Sequence, residues 1–359
     1  MKKLPPIVIF IFATTIALGN TTVSTAAGPE GVGSKCAKES SVDSKQDPKF
    51  ICTKMSGKLT WQISTKINQL NIWKDLQKIR SEKPEVNAAL DVRYSPTVNM
   101  KLANSILNGV NQAAKLWQEQ YLPSEALPTL FFTEKDRSWF INQLKSIGVY
   151  DNTKVAQFED EVRRNKDRAS WAGISGANGK IYMTFMIGTA KIKSDANDIQ
   201  VAAHEYTHLA QFAIAKNSTE QLACWQIEGG AFFYGIYLGA NNSKQLQDLV
   251  SARNTDRFFI NFSGMTKQPL NSFESLLDQY HVNYDHQKCG PDGAYPVGSA
   301  GMEYLYMLKG HQGTMDLLKN ISELGSFTEA IKLTFGKEWT VIRKEMANYI
   351  KLVVAQNNY

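Results

Sequence analysis

The stretch Val201-Ala-Ala-His204-Glu205-Tyr-Thr-His208-Leu-Ala-Gln211 contains the pattern His-Glu-x-x-His, and the interpretation of the whole chain depends on it. On a helix, side chains four residues apart lie on one face, so both imidazoles can reach one metal ion. The flanking residues are apolar, as a buried helix requires. The pattern therefore predicts a metal site on a helix, with His204 and His208 as ligands and Glu205 as general base.

A third ligand is expected on the following segment. Trp225-Gln-Ile-Glu228-Gly-Gly-Ala begins after a gap that lets a second helix run back past the metal. Glu228 is an acid within the otherwise apolar stretch 222–238, where an unpartnered carboxylate would be costly to bury. Two imidazoles and one carboxylate suit Zn²⁺, with one position left for a water whose pKa the metal lowers. We therefore expect Glu228 to be the third ligand and Zn²⁺ to be the cofactor.

These residues resemble the gluzincin zinc metallopeptidases of the secreted bacterial type, a group that includes thermolysin and aminopeptidase N. The family pattern is His-Glu-x-x-His followed by Glu, often within Trp-x-x-Glu-Gly-x-Ala, and residues 225–231 fit it. Ala294-Tyr295-Pro-Val-Gly298 resembles a family segment whose tyrosine supports the oxyanion, which implies that role for Tyr295. Tyr284, His281 and His286 are alternative donors. The resemblance covers residues 90–355 and implies hydrolysis of a peptide or protein substrate.

Several departures from the family pattern bear on the activity. The Gly-x-Met-Glu-Asn segment with which aminopeptidases bind a free amine is missing, which favours an endopeptidase. The acid that thermolysin-type enzymes place four residues after the third ligand is replaced by Phe232, so the partner of the histidine ligands must come from elsewhere. Two alternatives therefore stay open: a catalytically silent secreted binding protein on a gluzincin scaffold, and a metallohydrolase acting on a bond other than a peptide.

The order of predicted elements indicates an α+β, zincin-like fold. Strands are expected at residues 130–133 and 180–187, the second resembling the edge strand on which gluzincins align a peptide. A helix is expected to begin at Ser95-Pro96, and the chain beyond Asp198 is mostly helical. The expectation is thus a small N-terminal sheet with helices, followed by a mainly helical C-terminal part.

The beginning of the chain has the features of a secretory signal. Lys2 and Lys3 precede the apolar run Ile7–Leu18, and small residues follow, so residues 1–27 are predicted to be a signal peptide. Residues 28–60 are predicted to be a loop-rich leader and 61–359 the peptidase domain. We expect a secreted or extracytoplasmic protein without a stable membrane anchor.

The chain contains four cysteines, and export would place them in an oxidising compartment. Of the three possible pairings we favour Cys36 with Cys52 and Cys224 with Cys289. A cysteine metal site is the alternative, but it lacks any Cys-x-x-Cys spacing.

Composition bounds the class of protein. The 359 residues are 43% hydrophobic and 21% charged, which is typical of a globular chain. The net charge of +6 is dispersed, so a nucleic-acid partner is not expected. The sequence leaves the oligomeric state open.

Overall fold

A computed structural model describes residues 34–356, apart from 37, 44–47, 56, 166–169, 178, 188–194, 255–267, 282–288 and 290. The predicted signal peptide lies outside the described residues. The chain divides into two compact units, Met1–Gln46 with Phe50–Gln62 and Asp47–Lys49 with Ile63–Tyr359. Helices occur together with two small sheets, so the predicted α+β class is confirmed.

A three-stranded sheet lies in the segment that is predicted to be rich in loops. Its strands are β1 (Val42–Asp43), β2 (Phe50–Met55) and β3 (Lys58–Ile63), in the order β1-β2-β3, with β1 antiparallel to β2. The predicted disulfide between Cys36 and Cys52 is present, and Cys52 is fully buried.

The larger unit contains a four-stranded sheet. Its strands are β4 (Leu90–Tyr94), β5 (Leu127–Phe132), β6 (Ser170–Ala177) and β7 (Lys180–Ile187), in the order β4-β5-β7-β6. Strands β4, β5 and β7 are parallel, and β6 is antiparallel to β7. Consecutive apolar residues of β5 are fully buried, as expected of a parallel strand covered on both faces.

The expectation that residues 180–187 form an edge strand is wrong. Strand β7 lies between β5 and β6, and its residues 182–187 are buried. Strand β6 pairs with β7 over its full length, from Ser170 opposite Ile187 to Ala177 opposite Lys180. Gly179 has φ of +73° at the hairpin turn, a conformation that glycine adopts readily. Within the described residues, β6 is therefore the edge strand on this side of the sheet.

Helices accompany the sheet in the first part of the larger unit: α1 (Thr65–Glu82), α2 (Met100–Trp117), α3 (Arg137–Ser146) and α4 (Asn152–Asn165). Helix α2 begins later than the predicted start at Ser95-Pro96. The side chain of Asn99 accepts hydrogen bonds from the first backbone N–H groups of α2. Ser95 instead donates to the buried carboxylate of Asp136 at 2.6 Å, which joins two loops at the end of the sheet.

The second part of the larger unit is helical, as predicted: α5 (Asp195–Ala215), α6 (Cys224–Gly239), α7 (Ser243–Asn254), α8 (Leu270–Tyr280), α9 (Pro291–Leu324, interrupted at Gly310), α10 (Phe327–Phe335) and α11 (Trp339–Gln356). Helix α5 packs against both α2 and α6, and α6 packs against α9. The predicted disulfide between Cys224 and Cys289 is present and ties the first residue of α6 to the segment before α9.

A buried ion pair links several of these helices. Arg253 of α7 pairs with Glu303 of α9, and both side chains are fully buried. The carboxylate of Glu303 also accepts hydrogen bonds from Tyr237 at 2.7 Å and Tyr349 at 2.9 Å. Removal of either charged partner would leave an uncompensated buried charge, so the pair holds α6, α7, α9 and α11 in one arrangement.

The disulfides indicate the kind of compartment in which the protein folds. Two disulfides are typical of an oxidising, extracytoplasmic compartment. Among the described residues, no helix has both the length and the apolar character needed to span a bilayer.

Candidate metal centre

Helix α5 places the two predicted histidine ligands side by side. His204 and His208 are one helical turn apart, and both are 6% exposed. Their Nε2 atoms are 3.0 Å apart and the ring planes are perpendicular. Two imidazoles on one buried face therefore present nitrogens to one point, as the spacing predicts.

Helix α6 brings the predicted third ligand to the same point. The Oε2 atom of Glu228 lies 3.4 Å from Nε2 of His208 and 3.6 Å from Nε2 of His204. One ligand atom from each of these three buried residues lies within 4.8 Å of the others. The structure thus brings together residues that are 20 positions apart in sequence.

This group fits a metal ion. Donor atoms 2.0–2.1 Å from a tetrahedral Zn²⁺ are about 3.3–3.4 Å apart, close to the observed separations. Glu228 Oε2 is buried, and its printed contacts are with the Nε2 atoms of the two histidines. A buried carboxylate requires a positive partner, and a cation between the three side chains would supply it, as would a proton on a histidine.

The electrostatics of the group point the same way. Burial raises the pKa of Glu228, but the neighbouring charges of His208 and His204 outweigh burial and hold that pKa well below its usual value. Burial lowers the pKa of His208, but the carboxylates of Glu228 and Glu205 together with Gln211 more than reverse this effect. The carboxylates of Glu228 and Glu205 therefore favour a positive charge at this group, which either a proton on His208 or a metal ion would provide.

Glycine residues allow α6 to bring Glu228 into place. A Cβ atom on Gly229 would lie 2.3 Å from the backbone of Gly298 in α9, and one on Gly298 would lie 2.1 Å from the carbonyl oxygen of Trp225. Real side chains cannot occupy these positions without moving a helix. The predicted Tyr-x-x-Gly segment therefore has a physical basis: its glycine is where α9 crosses α6.

Gln211 is a further residue of the site that the sequence analysis did not find. Its Oε1 lies 3.0 Å from Nδ1 of His208, and its Nε2 donates to the carbonyls of Gln226 at 3.3 Å and Ile227 at 3.1 Å. A partner on Nδ1 fixes the tautomer that leaves Nε2 free to bind a metal. Gln211 is thus the orienting partner of His208.

Glu205, the predicted general base, is next to His204 on α5 and is 8% exposed. Its charge contributes to the raised pKa of His208, so the carboxylate acts electrostatically on the metal group. It is not one of the three clustered ligands. This arrangement matches a carboxylate that acts beside a metal and does not bind it.

Tyr295, the predicted oxyanion donor, lies against the same site. Its ring is parallel to that of His204, with centroids 5.5 Å apart and 8° between the planes. Phe232 contacts both rings edge-on, at 6.3 Å from His204 and 6.0 Å from Tyr295. The aromatic side chain at position 232 therefore packs between a predicted metal ligand and the predicted oxyanion donor.

The alternative oxyanion donors have different positions. His281 accepts a hydrogen bond from Trp225 Nε1 at 3.2 Å and stacks on Trp339, and burial lowers its pKa. It thus belongs to an aromatic cluster around Trp225. Tyr284 and His286 lie outside the described residues.

Comparisons with protein-family models, with curated proteins and with solved structures find no match to this chain. The resemblance to the gluzincins therefore stays a prediction from the sequence motifs. The functional argument depends on the site itself.

Proposed function

We propose that this protein is a secreted, zinc-dependent peptidase of the gluzincin type that cleaves peptide bonds internally. The observation that carries the proposal is the buried convergence of His204, His208 and Glu228 with Glu205 directly beside them. A second buried acid beside two histidines and a carboxylate suits catalysis at a metal better than it suits a purely structural cluster.

The chain's own residues account for the steps of peptide hydrolysis. His204, His208 and Glu228 would hold Zn²⁺, which when bound would act as a Lewis acid on the carbonyl and lower the pKa of water. Glu205 accepts a proton from the attacking water and then delivers it to the leaving amine. Tyr295 donates a hydrogen bond to the oxyanion that forms on the carbonyl oxygen.

An extended peptide would lie along β6. This strand is antiparallel to β7 and forms the sheet edge nearest to α5 in the described chain. An edge strand offers backbone N–H and C=O groups that pair with any peptide, whatever its side chains. The peptide-binding role that the sequence assigned to residues 180–187 is therefore proposed for Ser170–Ala177.

The second candidate function is a silent binding protein on the same scaffold. Phe232 favours it, because this side chain supplies no charge to His204 where thermolysin-type enzymes have an acid. Gln211 weighs against it, because a partner for His208 is retained from a different position.

The test combines metal analysis with a substitution of the base. We expect about one zinc per chain in the purified mature protein, lost in the His204→Ala/His208→Ala variant. Glu205→Gln should retain the zinc but lower kcat on unstructured peptides by about 10²–10⁴-fold. Glu220→Gln, an exposed carboxylate in the turn after α5, is the matched control.

Three outcomes would contradict the proposal. Absence of zinc after metal is added back would leave the ligand group without its ion. Hydrolysis that survives in zinc-loaded Glu205→Gln would exclude Glu205 as the base. Zinc binding with no hydrolysis of any peptide in a random mixture would favour the binding protein.

A further inference from the structure

A polar cleft of about 650 Å³ lies between α1 and α2. Its lining comes from the end of α1, from the segment that leads to β4, and from the second half of α2. Five amide side chains, three cations, one carboxylate and one hydroxyl line the cleft, and Val86 is the one apolar residue in its described lining. Binding sites for small molecules have volumes of about 300–1,000 Å³, so the cleft is large enough for a polar ligand.

The guanidinium of Arg80 is held in place at this cleft by two amide side chains. Its Nη1 donates a hydrogen bond to Gln112 on α2, and its Nη2 donates one to Gln77 on α1. Gln77 is itself fixed, because its Nε2 donates to the carbonyl oxygen of Tyr237 at 3.1 Å. A guanidinium has N–H donors beyond these two, and within the described residues no other hydrogen bond engages them. They can bind a ligand from a group whose orientation is already set.

The positive charge of Arg80 lacks an ion-pair partner. Lys115 pairs with Glu85, which is the one acid of the lining. Lys78 lies 3.9 Å from Glu82, and both of these side chains are exposed. In the part of the chain that the structure describes, no carboxylate forms an ion pair with Arg80, and its two partners are neutral amides. Burial lowers the pKa of Arg80, and the charge of Glu85 offsets only part of this effect. An anionic group in the cleft would therefore stabilise a half-buried cation.

Three asparagines add uncharged partners to the lining. Asn108 and Asn111 lie on α2, and Asn87 lies just before β4. No hydrogen bond between described residues engages their side-chain amides. An amide both donates and accepts, so it can pair with hydroxyl groups, which do the same. The described lining has no aromatic side chain, so it suits a hydroxylated ligand better than an apolar one.

We propose that this cleft binds a small polyhydroxylated anion, of the class of a sugar that carries a phosphate or a carboxylate group. Arg80 binds the charged group through its remaining donors, and the three asparagines bind hydroxyls. Either anion suits the fork of a guanidinium, since each presents two oxygens to it. The proposal is independent of the peptidase function, because no lining residue belongs to the metal group.

Two substitutions remove the proposed contacts from different helices. Arg80→Gln removes the charge from α1, and Asn108→Leu removes an exposed amide that has no partner within the described chain. The control for the first is Arg137→Gln, since Arg137 is 53% exposed and lies outside the cleft. The control for the second is Asn104→Leu, since Asn104 is exposed on α2, one turn before Asn108, and is not in the lining. Circular dichroism and urea unfolding establish that each variant is folded.

Binding is measured on the purified mature protein by isothermal titration calorimetry at constant ionic strength. The probes are glucose 6-phosphate, glucuronate, glucose and inorganic phosphate. We expect both charged sugars to bind at least about tenfold more tightly than glucose, because charge-assisted hydrogen bonds to a guanidinium are strong. Glucose 6-phosphate should also bind at least about fivefold more tightly than inorganic phosphate, because contacts with hydroxyls add to the contact with the anion.

The variants then decide the proposal. A fall in affinity for the charged sugars of at least about tenfold in Arg80→Gln and about fivefold in Asn108→Leu, with affinity retained in both controls and in His204→Ala/His208→Ala, would support the site. No binding of either charged sugar at about 10 mM would overturn it. Inorganic phosphate that binds as tightly as glucose 6-phosphate would indicate a simple anion site and overturn the sugar class. Affinity unchanged in both cleft variants, or lost in His204→Ala/His208→Ala, would place the ligand elsewhere and overturn the proposal.

Discussion

Oε1 of Gln211 lies 3.0 Å from Nδ1 of His208, while the amide nitrogen of the same side chain donates to the Ile227 carbonyl, one residue before Glu228. One side chain thus orients a ligand on α5 and holds the backbone that carries the ligand on α6. A Cβ on Gly230 would lie 2.8 Å from the amide nitrogen of Gln211, so glycine at this position leaves room for the link.

The first prediction concerns Gln211→Leu, which removes the contact with His208 and the hydrogen bond to the Ile227 carbonyl. We expect zinc affinity to fall by about 10- to 100-fold, because the orienting partner of His208 is lost. Gln211→Glu keeps the acceptor for His208 and loses the amide donor. It should retain more zinc affinity but lower the free energy of unfolding by about 1–3 kcal/mol, since buried carbonyls lose their donor.

Zinc affinity is measured by competition with a fluorescent chelator, and stability by urea unfolding. The matched control is Gln312→Leu, because Gln312 is exposed and bonds only to Asp316 among its described contacts. Equal zinc affinity in wild type and Gln211→Leu would show that Gln211 does not orient the ligand.

The second prediction concerns the hydroxyl of Tyr295. Tyr295→Phe keeps the ring that stacks on His204 and removes only the oxygen. If that oxygen supports the oxyanion, kcat should fall by about 10²–10³-fold, while KM and zinc content change little. Tyr150→Phe, which alters a tyrosine that is 42% exposed, is the control in the same steady-state assay. Wild-type kcat in Tyr295→Phe would exclude the role.

The sequence was sufficient to predict the disulfides and the three residues that come together in a group able to hold a metal ion, because both depend on strong local chemistry. His204 and His208 are related by helical spacing alone, and Glu228 is a lone acid in an apolar stretch. The Cα atoms are 5.9 Å apart in the Cys36–Cys52 pair and 5.4 Å apart in the Cys224–Cys289 pair, and both distances suit a disulfide. Local sequence patterns also predicted the α+β class of the fold and most of its helices.

The sequence was insufficient where long-range packing decides the outcome. The segment Ser-Trp-Ala-Gly-Ile-Ser-Gly-Ala at 170–177 is rich in small residues and has no clear alternation, so only its pairing with β7 makes it a strand. Gln211 is an ordinary helical residue by sequence. Its role follows from two carbonyls on another helix, which no local pattern specifies.

The third prediction concerns the crossing of α6 and α9 beside the metal ligands. Gly298→Ala would place a methyl group 2.1 Å from the Trp225 carbonyl oxygen, so the helices must separate. We expect the free energy of unfolding to fall by about 1–3 kcal/mol and kcat to fall as well, because Tyr295 lies one turn away on the same helix.

Gly301→Ala is the matched control for this crossing. Its added methyl would meet the mobile end of the Met346 side chain, which can move aside at lower cost. Both variants are measured by urea unfolding and by peptide hydrolysis. An equal free energy of unfolding in Gly298→Ala and Gly301→Ala would show that a methyl group fits between α6 and α9 without separating them.

The fourth prediction concerns His311, a buried histidine outside the metal site. Its Nδ1 lies 2.8 Å from the hydroxyl of Tyr234, its ring packs on Trp117, and the side chain is 5% exposed. No described residue forms a hydrogen bond with its Nε2 atom. Burial lowers the pKa of His311 to about 3, and the charge of Lys83 contributes.

The direction of the pH effect follows from proton binding in the two states. In the unfolded chain His311 takes up a proton below pH about 6.5, whereas in the folded chain it stays neutral until about pH 3. Its contribution to stability is therefore complete above pH 6.5 and is lost as pH falls towards 3, by up to about 1.4 kcal/mol per pH unit. His311→Gln removes this titration, so its stability should fall less steeply. Urea unfolding of metal-free protein at pH 7, 6 and 5, at constant ionic strength, measures both slopes. Parallel curves for wild type and variant would show that His311 takes up its proton as readily in the folded state as in the unfolded chain, and the low pKa would be wrong.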